Sequence, residues 1–191
     1  MKRTPMPRTT RQIIPNAPYH ALNRSNGRFQ IFESARCYER FCRLIGLAVE
    51  KHQMRLIAFC IMPNHWHMIL RPESAAQLSK FMGWLCNTHT RRYHITHQSV
   101  GQGPLYQGRY KAILLTDDRQ LSTAVRYVER NPVTSALASS AASWPWSSAA
   151  ATGRSLVELC QEPFQEAHDW QMWVDDALTA KEYAQSNESS D

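Results

Sequence analysis

Residues 53–70 limit the possible folds more than any other stretch of this chain. Residues 53–62 form a mostly apolar run without Gly or Pro, Pro63-Asn64 breaks it, and residues 65–70 resume it as His-Trp-His-Met-Ile-Leu. Apolar runs of that length around a turn-forming dipeptide read as two strands in immediate succession. Helical spacing flanks them. Phe41, Leu44, Ile45, Ala48 and Val49 recur with helical period within residues 34–52, and Leu78, Met82, Leu85 and Cys86 within residues 75–97. Tyr19 to Arg24 reads as a strand before a turn at Asn26-Gly27, and residues 109–115 as a strand after a glycine-bearing loop (Gly101, Gly103, Gly108).

Asp117-Asp118 then opens a helix expected to run to about Arg130, where Asn131-Pro132 would end it. The order is β-α-β-β-α-β followed by a helix. That predicts an α+β, ferredoxin-like antiparallel sheet with one added helix. The chain has 191 residues, enough for one domain with a short appendage. The boundaries expected are a basic N-terminal arm over 1–16, a main domain over 17–150 and an acidic C-terminal extension over 151–191.

Charge narrows the partner. Of the 22 Lys and Arg, 20 fall in residues 1–153 against seven acidic residues, whereas residues 154–191 hold two basic and nine acidic. A body that basic suits a polyanion, nucleic acid above all. The longest apolar run is too short to span a bilayer, and no apolar signal core follows the basic start, so no membrane association is expected. Five cysteines without a C-x-x-C pair predict neither a disulfide framework nor a cysteine zinc site.

Three sets of residues have chemistry to offer. His65 and His67 stand two apart on a strand, so both imidazoles project from one face, about 6–7 Å apart along the strand. That is a workable nitrogen pair for one metal. By itself the pattern also suits two histidines on a half-exposed strand. On the last helix, Leu121, Ala124, Val125 and Val128 form the apolar stripe. At 100° per residue Tyr127 and Asn131 share one flank of it, while Arg126, Glu129 and Arg130 are expected to face outward. A phenol can serve as a covalent nucleophile and an amide oxygen as a hard metal ligand. A core tyrosine and a helix-ending asparagine fit the same pattern. Third, Tyr106, Gln107, Arg109 and Lys111 interleave with aromatic neighbours before the last strand, and Arg91 and Arg92 add basic helix surface. Such residues pair with phosphates and stack on bases.

These segments resemble a known family. Pro63-Asn64-His65-Trp66-His67 is similar to the HUH motif of single-tyrosine transposases. Residues 106–111 resemble their loop before the fourth strand, residues 126–133 their tyrosine-bearing helix, Trp144-Pro145-Trp146-Ser147-Ser148 the segment after it, and residues 19–24 their first strand. The chain is most similar to the REP-associated tyrosine transposases, bacterial relatives tied to repetitive extragenic palindromes. Glu129-Arg130 departs from the usual apolar or histidine pair.

The resemblance implies that Tyr127 attacks a phosphodiester in single-stranded DNA, forming a 5′-phosphotyrosine link that can rejoin strands. It implies Mg²⁺ or Mn²⁺ on His65, His67 and Asn131, and REP-like hairpins as partner. DNA contacts would come from Arg3, Arg8, Arg11, Asn23, Arg24, Arg91, Arg92, Tyr106, Gln107, Arg109 and Lys111. A monomer is expected rather than a homodimer, located in the bacterial cytoplasm with the nucleoid. The alternative is a non-catalytic DNA-binding protein on the same scaffold. A zinc hydrolase is disfavoured, because no Glu base or third strong ligand accompanies the pair, and position 69 is Ile69 rather than a further alternating histidine.

Overall fold

The computed structural model describes residues 13–160, 162–166 and 169–187. Four strands, β1 (Tyr19–Arg24), β2 (Arg55–Met62), β3 (His65–Arg71) and β4 (Lys111–Leu114), form one sheet in the order β2-β3-β1-β4 with every pair antiparallel. Two long helices, α1 (Ala35–His52) and α2 (Ala75–Thr96), make the crossovers, and α3 (Asp118–Thr134) follows β4. This is the βαββαβ sheet with an added helix that the periodicities predict.

The strand alternation sorts side chains into two layers. Trp66, Met68 and Leu70 of β3, with Phe59 and Ile61 of β2, pack under Phe41, Leu44 and Ile45 of α1 and Leu78, Phe81 and Leu85 of α2. On the other face, Ile69 of β3 and Cys60 and Met62 of β2 meet Leu121, Ala124, Val125 and Val128 of α3. A register shift between Leu56 and Ala58 puts both Ile57 and Ala58 on the α3 side. Each fully buried side chain of this kind contributes about 1.5–3 kcal/mol, so α3 is held to the sheet by its own stripe.

The start of α3 follows the sequence rule, since the Asp117 carboxylate accepts from the Gln120 backbone N–H at 2.8 Å. Its end does not. The helix runs through Pro132 to Thr134 instead of stopping at Asn131. A proline in the last turn denies a partner only to the Val128 carbonyl. The following turn closes on Ser135 N–H to Asn131 O at 3.0 Å and Leu137 N–H to Pro132 O at 2.8 Å. β4 is shorter than expected, because residues 106–110 leave the sheet to cross the end of β1, where the Gln107 N–H donates to Arg24 O at 3.0 Å.

The chain after α3 is part of the fold. The Trp144–Ser148 segment covers the free edge of β2: Ile61 N–H donates to Trp146 O at 2.9 Å and Ser148 N–H to Phe59 O at 2.8 Å. A short helix α4 (Ala151–Leu156) follows. Its Gly153 approaches so closely that an added Cβ would lie 1.9 Å from the Ser147 carbonyl oxygen. Two further helices, α5 (Trp170–Asp175) and α6 (Ala180–Asn187), lie against α3. They correct the expectation that Arg126 and Glu129 face outward, whereas Arg130 stays half-exposed. Arg126 and Glu129 are 4% and 3% exposed. The Arg126 guanidinium lies 4.4 Å from the Trp173 ring centre, pairs with Glu182 at 3.3 Å and donates to the Asp176 carbonyl at 3.0 Å. Glu129 accepts from Ser148 Oγ at 2.8 Å and from Trp170 Nε1 at 3.2 Å. Arg130 Nε also donates to the Asp176 carbonyl. The described part of the acidic extension therefore docks on the two buried charges of α3.

Candidate active site

His65 and His67 project from the α3 side of β3, at its first and third positions, with ring centres 5.0 Å apart and planes at 83°. In register, β1 places Arg24 opposite His65 and Leu22 opposite His67. The α3 stripe fixes the height of that helix above the sheet, and Tyr127 on its flank reaches the histidines. The Tyr127 ring centre is 5.7 Å from that of His67 and 6.0 Å from that of His20, both edge-on. Asn131 lies one helical turn further on, buried at 8% exposure. The structure thus brings His65, His67 and Tyr127 into one cluster.

His20 belongs to that cluster, and the sequence reading gave it no role. On β1 it alternates onto the histidine face, and its Nε2 lies 2.9 Å from His67 Nδ1. The signal was available: period-2 alternation puts His20, Leu22 and Arg24 on one side of β1. The register puts Leu22 opposite His67, and His20 reaches the ring from the diagonal position. On the neighbouring histidine, His65 Nδ1 lies 2.7 Å from Asn64 Oδ1, while Asn64 Nδ2 donates to the Arg28 carbonyl at 3.0 Å.

Burial keeps these imidazoles neutral. His20 is lowered to about 4 by burial, and His65 to about 4 by burial and then by the Arg24 charge. His67 is pushed well below the ordinary histidine range, mainly by burial and then by its neighbours His20, His65 and Arg24. Neutral imidazole is the form that binds metal. His67 Nε2 is buried without a hydrogen-bond partner, as a nitrogen reserved for a cation would be. The donor set therefore fits a divalent ion. Among the described residues no three His, Cys, Asp or Glu side chains group around a common point. An amide oxygen such as that of Asn131 would suit the hard ions Mg²⁺ or Mn²⁺ as a further ligand.

Beside the histidines a cleft of about 430 Å³ is lined by Arg24, Arg28, Gln107, Arg109 and Lys111. Its four cations and an amide face the β1–β4 end of the sheet. Arg28 was not anticipated from sequence, and it enters because the turn after β1 folds back toward the loop. Other expected DNA contacts fall elsewhere. Tyr106 is 5% exposed, and its hydroxyl lies 2.6 Å from His89 Nδ1 and accepts from Trp66 Nε1 at 3.1 Å, so the ring braces β3 from behind and is closed to a base. Asn23 is 6% exposed and donates to the Gly108 carbonyl at 3.4 Å, which makes it an anchor for the basic loop. Arg91 and Arg92 are exposed on α2, on the opposite side of the sheet from the histidines. A larger cavity of about 480 Å³, lined by Arg40, Arg43, Tyr93 and Arg92 among others, lies on that same side. Arg3, Arg8 and Arg11 lie outside the described residues.

The family described as "Transposase IS200 like" matches residues 14–131, a span that contains His20, His65, His67, Tyr127 and Asn131. A Haemophilus influenzae protein named as a REP-associated tyrosine transposase is 25% identical over 107 residues, covering 52% of this chain and 61% of that relative. The match therefore spans about three-fifths of the relative's length. A solved structure of a REP-associated tyrosine transposase bound to a REP hairpin superposes with a TM-score of 0.59 at 19% identity, over 74% of this chain and 82% of that one. The likeness to that structure is one of fold.

Proposed function

The chain belongs to the IS200-like transposase family, and on that premise we propose that it is a metal-dependent nuclease and strand transferase for single-stranded DNA. It acts on REP-type hairpins through a covalent 5′-phosphotyrosine, as a monomer, in the bacterial cytoplasm at the nucleoid. One observation carries the reading: a tyrosine sixty positions away in sequence sits edge-on to the second histidine, 5.7 Å between ring centres.

Tyr127 supplies the nucleophile. Its phenolic oxygen forms a bond to phosphorus as the bond to the 3′ oxygen breaks. The phenol gives up one proton and the departing 3′ oxygen takes one up, so the step balances. The 5′-phosphotyrosine keeps the bond energy, and attack by a 3′-hydroxyl reverses the step without a nucleotide cofactor. His65, His67 and Asn131 are the residues that would hold the ion, whose bound form supplies Lewis-acid polarisation of a phosphate oxygen and stabilises developing charge. Arg24, Arg28, Arg109 and Lys111 bind the backbone on either side, and Gln107 adds a neutral contact. The α3 stripe keeps Tyr127 at a fixed height above β3, which is the orientation such an attack needs.

A REP-like hairpin oligonucleotide with a single-stranded flank, incubated with Mg²⁺ or Mn²⁺, tests this. The expected result is strand cleavage with a DNA-linked protein band on a denaturing gel, lost in Tyr127→Phe. Cleavage that survives Tyr127→Phe sinks the tyrosine mechanism. Hairpin binding without cleavage in either metal establishes the non-catalytic DNA-binding reading instead.

A further inference from the structure

Two hydrogen bonds behind the histidine pair do a job of their own. An amide oxygen can only accept, so the 2.7 Å contact between His65 Nδ1 and Asn64 Oδ1 places the proton on His65 Nδ1. The amide cannot be turned over, because Asn64 Nδ2 is committed to the Arg28 carbonyl at 3.0 Å. His65 Nε2 is thereby left as a lone pair. The second contact, His20 Nε2 to His67 Nδ1 at 2.9 Å, joins two buried rings, and one proton lies between them. If His20 donated, His67 would carry its proton on Nε2, a buried N–H with nothing to receive it. Such orphaned buried donors are rare. If His67 donates through Nδ1, its buried Nε2 carries a lone pair, which a cation satisfies.

We propose that Asn64 and His20 are positioning residues that hold His65 and His67 in the Nδ1–H tautomer, leaving both Nε2 nitrogens as metal donors. The assignment rests on the metal-binding reading above and deepens it. A partner behind a ligating histidine orients the ring and sets its basicity. Carboxylates often fill that place. Here both acceptors are neutral, so the site adds no negative charge next to the phosphate it must take up. Asn64 reaches the pair from the turn that precedes β3, and His20 crosses to it from β1.

The test has two arms. In the metal-free wild-type protein, nitrogen NMR of ¹⁵N-labelled histidine at neutral pH is expected to show His65 and His67 protonated at Nδ1 and unprotonated at Nε2. A proton on His67 Nε2 overturns the proposal for His20, and one on His65 Nε2 overturns it for Asn64. In the second arm Mn²⁺ affinity is measured by electron paramagnetic resonance, with a thermal melt as the check on folding. His20→Phe and Asn64→Leu are each expected to weaken Mn²⁺ binding about 10–100-fold, while Asn64→Asp, which keeps the acceptor oxygen, restores it. A folded His20→Phe or Asn64→Leu that binds Mn²⁺ like the wild type overturns the proposal. A wild-type protein that binds no Mn²⁺ defeats the metal reading of the proposed function, and the NMR arm still decides the tautomers.

Discussion

Tyr127 meets His67 edge-on, the two ring planes at 86°. The contact joins a helix flank to a strand face, and each partner reaches it through a different periodicity: α3 presents Tyr127 every 3.6 residues, and β3 presents His67 every second residue. The ring packs among apolar neighbours, so its hydroxyl is separable from its packing.

Tyr127→Phe is therefore expected to fold with stability changed by about 1 kcal/mol, the worth of one hydrogen bond. Covalent adduct formation is expected to fall by about 10³-fold or more. Urea unfolding and the adduct assay on the same preparation check both halves. A large loss of stability would mean that the hydroxyl has a structural duty.

The basic cleft is expected to act through charge. Arg24→Ala and Arg109→Ala should each weaken hairpin binding for all sequences alike and lower the slope of log affinity against log salt by about one. Fluorescence anisotropy over a salt series measures this. Arg91→Ala, on the far side of the sheet, gives the contrast: an equal effect there would show that DNA wraps both faces.

Glu129 makes stability depend on pH. Burial raises its carboxyl from 4.5 to about 7, against the lowering effect of its bonds from Ser148 and Trp170 and of the Arg154 charge. A raised folded value means that the folded state holds the proton more tightly than the unfolded chain. The stabilisation is complete below about 4.5 and is lost as pH rises through about 7. The loss is on the order of 3 kcal/mol. Urea melts at pH 5 and pH 8 should differ in that direction, and Glu129→Gln should flatten the difference.

Trp173 holds the C-terminal helices to α3 through the Arg126 guanidinium 4.4 Å from its ring centre. Trp173→Ala is expected to remove about 1–2 kcal/mol of that attachment. Hydrogen exchange should speed up across α5 and α6 while the sheet is unaffected. Exchange that rises equally in β3 would show that the extension is part of one cooperative unit with the core.

The strand and helix order was legible because alternating and helical hydrophobic spacing are local properties. So was the placement of His65 with His67 and of Tyr127 with Asn131, since each pair shares an element. Three misreadings have one origin. Arg126 and Glu129 looked like a solvent face because charge ordinarily means exposure, and nothing local to α3 shows that Trp170, Trp173 and Glu182 will cover them. Tyr106 looked like a stacking residue until His89 and Trp66 closed on its hydroxyl. His20 passed as one more strand residue.

By itself, then, the sequence determined the order of the elements and the family resemblance, because these follow from spacing along the chain. Tertiary structure decided what crosses between elements. The pairing of β1 with β3 lets His20 reach His67 across the diagonal, the height of α3 sets Tyr127 beside them, and the returning C-terminus buries two charges. Those distances depend on packing between segments dozens of residues apart, and no periodicity within a segment encodes them.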